Sequence, residues 1–269
     1  IDTNSTLGAK WINKTSGEVY ILTDATTDEN VWTNVGAGTG DVAPWAFGGT
    51  RYGWIYGGYN GHPRSYGIDQ ISFTTDGNAT DVGNMTVRRD DVSGCSSPTH
   101  GYACGGYNGD SPSSQTTNII DRGAFASGGE MADVGDMIAK RKSHGASSSE
   151  TYGYLAGGYL VTGEGGAGNY NEIWRFQFAA SANAVDIGDL TKVWKDNPAG
   201  CSDPGNSYAY VAGGGNHTDI DRYAMASSAS GADVGDITVA RGWLTGHSSA
   251  TYGYAGASGP GGPDASNNR

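Results

Sequence analysis

Along much of the chain, apolar and polar positions alternate over short runs, the period of a half-buried β-strand. "IDRGAF" from Ile120 is one such run, and "IDQISF" from Ile68, "IWRFQF" from Ile173 and "IDRYAM" from Ile220 repeat it. Each follows a short aromatic strand that ends in Gly-Gly: "RYGWIYGGY" from Arg51, "HGYACGGY" from His100, "TYGYLAGGY" from Thr151 and "SYAYVAGGG" from Ser207. A fifth aromatic strand, "TYGYAGASG", begins at Thr251. After each alternating run comes "DVGN" from Asp81, "DVGD" from Asp133, "DIGD" from Asp186 or "DVGD" from Asp233. Three phrases in one order, recurring at roughly 50 residues, predict a repeat architecture.

Each unit reads as four strands. The first is polar and small, as in "SGCSSPT" or "GASSSE"; the second is aromatic, the third alternates, and the fourth passes through the Asp-Val-Gly-Asp turn region. Helix signals are almost absent. "MIAKRK" from Met137 is the best, but its equivalents "MTVRRD" and "LTKVWK" carry β-branched residues, so it reads as a connection. An isolated flat sheet cannot bury both faces, whereas sheets packed around an axis cover one another. Small first strands then suit a crowded axis, and the glycine pairs suit a positive φ or close approach where the chain leaves the sheet. The fold class expected is all-β, a propeller of about five four-stranded blades.

On these motifs the chain resembles the kelch-repeat β-propellers from about Asp41 to Ser258. It carries the Gly-Gly after an aromatic strand and a cation before the inner strand, at Arg89, Arg141 and Arg241. The late Trp of the kelch unit is replaced by the Asp-Val-Gly-Asp phrase. The glycine-rich "GGYNG" and "DVGD" phrases also resemble repeat proteins of marine phage tails and virions. That likeness implies a virion- or tail-associated structural protein with an exposed head.

The first two strands occur five times, starting near Pro44, Arg89, Lys142, Trp194 and Arg241; the last two follow only four times. Residues 1–40 are expected to form an N-terminal β-hairpin segment, and 41–269 the propeller. "GEVYILTDATTDENVWTNVG" alternates like a third strand, turns at Thr26 to Asn30, resumes at Val31 and supplies Trp32. These strands either complete the fifth blade and close the ring, or form a separate attachment module around the hairpin "GAKWINKTSGEVYIL". "GAGTG", Gly36 to Gly40, is the best linker.

Composition narrows the function. The chain has 269 residues, 46 of them Gly, with 16% charged and a net charge of −12. So acidic a chain is a poor partner for nucleic acid, whose phosphates require Lys and Arg. No run of about 18 apolar residues suggests a membrane span. The chain opens at Ile1 with no Met and no signal-like segment, which reads as a processed chain or part of a longer polypeptide. Three cysteines are too few for a disulfide scaffold. Cys95 and Cys104 would face each other if their hairpin centred on Thr99 and His100; otherwise they are two buried thiols. Cys201 has no evident partner.

No catalytic or zinc constellation stands out among His62, His100, His144, His217 and His247. His144 and His247 fall on inner strands, facing a central channel. The repeated Asp81, Asp133/Asp136, Asp186/Asp189 and Asp233/Asp236 recur too regularly for one active site. They read as turn architecture, each bonding its own backbone, with calcium as the functional alternative. No other cofactor is expected. "GAGTG" and "GEGGAG" lack the context of a phosphate loop. Sequons at Asn4, Asn13, Asn78, Asn84 and Asn216 matter only in a eukaryotic secreted product.

The loops after Gly-Gly vary most, and antiparallel order puts them on one face with the fourth-to-first joins. Those joins carry Arg88, Arg89, Lys140, Arg141, Lys142, Lys192, Lys195 and Arg241, half of the 16 cationic residues. Variable loops on a rigid scaffold are where binding usually resides. Tyr59, Asn60, His62, Arg64, Tyr66, Tyr107, Asn108, Tyr159 and Tyr170 supply stacking faces and amides suited to sugar or protein surfaces. The expected function is a non-enzymatic structural head on a virion surface or in the extracellular space. Its partners would be other virion or tail proteins and a host-surface glycan, with no nucleic acid and no membrane insertion. A cellular extracellular lectin or adhesion propeller is the alternative.

Overall fold

The computed structural model describes residues 6–13, 17–26, 30–35, 52–59, 61, 63–109, 115–161, 166, 168–193, 197–203, 207–215, 217–249 and 252–257. Every regular element among them is a β-strand. No helix is long and apolar enough to cross a membrane. The chain divides into two compact units, residues 1–46 and 47–269.

The N-terminal unit is one antiparallel sheet of β1 (Lys10–Ile12), β2 (Val19–Asp24) and β3 (Val31–Asn34), with β2 in the middle. The expected hairpin is present, with Trp11 opposite Tyr20 and their rings 5.0 Å apart. Tyr20, Leu22 and Trp32 form its small core.

The larger unit holds five antiparallel sheets in chain order. Sheet I is β4 (Tyr52–Tyr56), β5 (Gly67–Ser72) and β6 (Thr80–Asn84). The first strand expected near Pro44 lies outside the described residues. Sheet II is β7 (Ser93–Ser96), β8 (His100–Cys104), β11 (Ile119–Ala124) and β12 (Ala132–Asp136); between β8 and β11 comes a ribbon, β9 (Tyr107–Asn108) with β10 (Gln115–Thr116). Sheet III is β13 (Gly145–Ser148), β14 (Tyr152–Ala156), β17 (Glu172–Gln177) and β18 (Val185–Asp189), with the equivalent ribbon β15 (Tyr159–Leu160) and β16 (Gly168–Asn169). Sheet IV is β19 (Ala199–Asp203), β20 (Tyr208–Ala212), β21 (Asp219–Ala224) and β22 (Ala232–Asp236); sheet V is β23 (Leu244–Ser248) and β24 (Gly253–Ala257).

The Asp-Val-Gly-Asp phrase is itself the fourth strand, and it carries a β-bulge. Ile120 faces Gly135 while the next residue, Asp121, faces Asp133, which leaves Val134 as the extra residue. Sheets I, III and IV shift register at the same point. In each bulge the aspartate Oδ1 accepts the N–H of the glycine two residues on: Asp81 from Gly83 (3.1 Å), Asp133 from Gly135 (3.1 Å), Asp186 from Gly188 (2.9 Å) and Asp233 from Gly235 (3.1 Å). These carboxylates fix local geometry, the backbone-bonding role expected for them.

The core lies between successive sheets. Tyr102, Cys104 and Ile120 of sheet II pack on Leu155, Trp174 and Phe176 of sheet III; Tyr154 and Ile173 of sheet III pack on Val211 and Tyr223 of sheet IV. Burying each such side chain contributes about 1.5–3 kcal/mol. First strands approach one another backbone to backbone. A Cβ on Gly200 would strike the main chain of Ala146, and one on Gly246 that of Gly200. This is the crowding that small residues were expected to relieve.

All three cysteines are free and buried. The β7–β8 hairpin centres one residue earlier than the disulfide arrangement requires, so Cys95 stands opposite Tyr102 and Cys104 opposite Ser93. Pro98 and the Ser97 hydroxyl set that turn, Ser97 Oγ accepting from the Thr99 and His100 amides. Burial pushes the Cys104 thiol well above its usual pKa.

Candidate functional site

The joins that lead into the first strands of sheets II to V carry one left-handed residue each. Asp91 (φ 51°), Ser143 (62°), Asn197 (49°) and Trp243 (58°) occupy equivalent places. Asp and Asn tolerate this region; a tryptophan there is an outlier. Main-chain bonds link these joins in sequence: Ser143 N–H to Asp91 O (3.1 Å), Asn197 N–H to Ser143 O (3.2 Å) and Leu244 N–H to Asn197 O (3.1 Å). The four residues line a polar cavity of about 300 Å³ together with Ser93 and His144. Trp243 is about half exposed at its edge.

A second cavity of about 500 Å³ touches the other ends of the first strands and shares Gly94, Ala146, Gly200 and Gly246 with the first. Residues from all five sheets line it, including Trp54, Ser96, Ser148, Ser202 and Ser248. Here a serine ladder crosses the sheets: Ser96 N–H donates to Ser148 Oγ (3.0 Å), Ser148 N–H to Ser202 Oγ (2.8 Å) and Ser202 N–H to Ser248 Oγ (2.8 Å).

The two histidines expected to face a channel line different ends. His247 lines the second cavity. His144 borders the first but is buried, its ring against Gly105 and Gly158 and its Nδ1 3.4 Å from Ser93 Oγ. Burial, helped by the Arg141 charge, pulls its pKa down to about 3, so it is a neutral structural imidazole.

Loops and joins do share one end of the sheets. Bridges join Asp90 to Tyr107 and Lys142 to Tyr159, and the second glycine of three pairs donates to a join carbonyl: Gly58 to Arg89 (3.1 Å), Gly106 to Arg141 (3.0 Å) and Gly214 to Arg241 (3.0 Å). Of the nine residues singled out from the sequence, Asn60 and His62 lie outside the described residues. The structure brings most of the others together. The Arg64 guanidinium sits 5.2 Å from the Tyr59 ring and 4.7 Å from the Tyr107 ring. Lys142 Nζ lies 5.4 Å from the Tyr107 ring and 5.8 Å from the Tyr159 ring. Tyr66 stacks under Arg88 at 4.1 Å, and Tyr170 under Arg141 at 3.6 Å. Asn108 pairs with Gln115 in the β9–β10 ribbon.

Lys195 lies outside the described residues, and the described cations at this end make contacts within the protein. Arg64 pairs with Asp90 (2.8 Å) and Lys142 with Asp91 (2.5 Å). Arg141 forks onto Glu172 at 2.7 and 3.0 Å. Burial alone would raise the Glu172 pKa; the Arg141 bonds, backbone N–H groups and the Arg141 charge outweigh it and hold the carboxyl below its usual range. Burial raises Asp90 against the opposing pull of Arg64. The face therefore offers aromatic rings oriented by internal ion pairs rather than a field of free positive charge.

Sequence reasoning missed the left-handed quartet and the serine ladder. A signal existed: Asp91, Ser143 and Trp243 each stand two residues after the join cations Arg89, Arg141 and Arg241. Among the described residues no three His, Cys, Asp or Glu side chains gather as a metal site. No protein-family model and no curated protein matches the chain.

Proposed function

We propose that the chain is a non-enzymatic binding head, a β-propeller whose loop face recognises a host-surface glycan while the rest of the molecule serves as a structural part of a virion or phage tail. The observation that carries the binding reading is the aromatic row Tyr59–Tyr107–Tyr159. It runs across three successive sheets, with Arg64 and Lys142 set between the rings. Sugar C–H faces stack on such rings, and hydroxyls bond neighbouring carboxylates and amides such as Asp91 and Asn197. The polar mouth edged by Trp243 lies at the same end of the first strands. The propeller reading is supported by five sheets bordering one cavity and by cores formed between consecutive sheets. The virion assignment is supported by the likeness of the "GGYNG" and "DVGD" repeats to phage tail proteins.

A glycan array probed with the intact chain tests the binding reading. A restricted set of sugars should bind, and Tyr107→Ala and Tyr159→Ala should each weaken that binding at least tenfold in a chain that still folds. No glycan bound, or binding indifferent to both changes, sinks it. Particle assignment is tested separately: the chain should copurify with capsid or tail proteins in fixed stoichiometry.

A further inference from the structure

Third and fourth strands make recurring contacts with the sheet before them, and among the described residues that series stops at sheet IV. The third strand of each following sheet covers the second strand of the one before. Phe178 stacks on Tyr102 with centroids 4.6 Å apart, and Phe178 O accepts the Tyr102 hydroxyl at 3.1 Å. Tyr223 lies 6.0 Å from Tyr154, and Met225 O accepts the Tyr154 hydroxyl at 2.6 Å. The turn into the next fourth strand donates a backbone N–H to the end of the previous one: Met131 to Asn84 O (2.8 Å), Ala184 to Asp136 O (2.8 Å) and Gly231 to Asp189 O (2.7 Å). A buried acid of the next third strand holds the threonine that leaves the sheet. Asp121 holds Thr86 and Asp221 holds Thr191, each through Oγ1 at 2.7 Å.

Sheet IV presents the same groups with no receiver among the described residues. Tyr210 stands where Tyr102 and Tyr154 stand, Asp236 where Asp136 and Asp189 stand, and Thr238 where Thr86 and Thr191 stand. Thr238 Oγ1 takes the guanidinium of Arg241 instead, at 3.3 Å. A Cβ on Gly135 or Gly188 would meet the next sheet at 2.6 or 2.7 Å, whereas one on Gly235 would meet nothing within 4 Å. Between sheets IV and V opens a groove of about 610 Å³ lined by Tyr210, Ile220, Val234, Ile237, Leu244 and Tyr252. Beside it, among the described residues, β24 pairs with β23 alone.

We propose that this groove receives a two-stranded antiparallel β-ribbon of the repeat's own type. Its inner strand carries a carboxylate after an Ile, with aromatic or Met side chains two and four residues on; its outer strand carries an Asp-x-Gly bulge. The carboxylate is required by Thr238 and Arg241, the large apolar side chains by Tyr210 and Ile220, and the turn N–H by the Asp236 carbonyl. The inner strand adds to the open edge of β24, extending main-chain pairing as well as filling the cavity. Residues 258–269 are Gly, Pro and polar apart from one Ala and cannot supply these side chains. The proposal stands apart from what the loop face binds.

A labelled peptide of residues 218–236, the third and fourth strands of sheet IV, carries Asp221 after Ile220 with Tyr223 and Met225 two and four residues on, and is the probe. Titrated with the intact 269-residue chain, it should bind saturably at one peptide per chain and raise the unfolding temperature. An Asp221→Leu peptide should bind at least tenfold more weakly, as should the native peptide against a Thr238→Val chain. Because the first change is on the peptide, the fold of the chain is untouched by it. Absence of binding, or binding indifferent to both changes, overturns the proposal. So does a chain that sediments as a dimer and takes no peptide, which would make a second copy the occupant. Amides of 235–238 protected from exchange without peptide would place another part of the chain there, and overturn it as well.

Discussion

Arg89 Nη2 lies 2.7 Å from Asp121 Oδ2, and neither side chain reaches solvent. The pair joins the segment leaving sheet I to the third strand of sheet II. Asp121 also takes the Thr86 N–H (3.0 Å) and hydroxyl (2.7 Å), and Arg89 reaches the Ala103 carbonyl (3.2 Å). A buried ion pair adds little relative to well-packed apolar residues, but losing one partner strands the other charge. Asp121→Leu should therefore destabilise the larger unit by about 3–5 kcal/mol, read as a drop in urea midpoint. Adding Arg89→Met should recover most of that loss. A double variant as unstable as the single would mean that the charge pair itself, and not the stranded arginine, carries the effect.

The bulge glycines separate backbone strain from packing. Gly188 and Gly235 have nearly the same φ, 148° and 152°. A Cβ at Gly188 meets Ser230 N at 2.7 Å, and one at Gly235 meets nothing nearby. Alanine at Gly235 should cost on the order of 1–3 kcal/mol from conformation alone. At Gly188 overpacking adds about 1–3 kcal/mol more. Thermal unfolding of the two variants reads the difference. Equal losses would show that the sheets do not pack at Gly188 as described.

The serine ladder predicts a cross-sheet effect from one atom. Removing Ser148 Oγ takes away the acceptor of the Ser96 N–H, at 3.0 Å in a partly buried setting. An amide left unpaired there costs about 1–3 kcal/mol. Ser148→Ala should show that loss in urea unfolding and faster hydrogen exchange at the Ser96 amide in the neighbouring sheet. Unchanged exchange at Ser96 would remove the ladder's role in joining sheets II and III.

Much of this was legible because it repeats. The Gly-Gly and Asp-Val-Gly phrases mark strand ends and bulges wherever they occur, and the aspartates keep the backbone-bonding role assigned to them. The left-handed join residues were not legible as a set, because one backbone conformation is filled by Asp91, Ser143, Asn197 and Trp243, four unlike side chains. The gathering of cations was placed at the correct end, but its chemistry was not visible. The partners of Arg89 and Arg141, Asp121 and Glu172, lie about thirty residues on, in the following sheet, where sequence spacing carries no distance. The Cys95–Cys104 hairpin turned on the placement of one tight turn, decided by the Ser97 hydroxyl.

His144 makes stability depend on pH in a defined window. In the folded chain its pKa is lowered to about 3 by burial and then by Arg141; in the unfolded chain it returns to the ordinary value of 6.5. Between those values the unfolded state binds a proton that the folded state does not, so stability falls as pH falls. The slope is about 1.4 kcal/mol per pH unit. Above pH 6.5 both states hold neutral imidazole and the effect vanishes. Glu172 acts in the same direction but lower: its folded pKa is depressed below 4.5, so its contribution is complete above that value and is lost as pH drops through the folded pKa. Between pH 7 and pH 5 His100 contributes in the same direction, its pKa lowered by burial and then by the Arg122 charge, so the difference between two chains isolates His144. Urea midpoints should decline more steeply with falling pH for the native chain than for His144→Gln, whose amide needs no proton. A native chain equally stable at pH 5 and pH 7 would mean that His144 is not held neutral between Gly105 and Gly158.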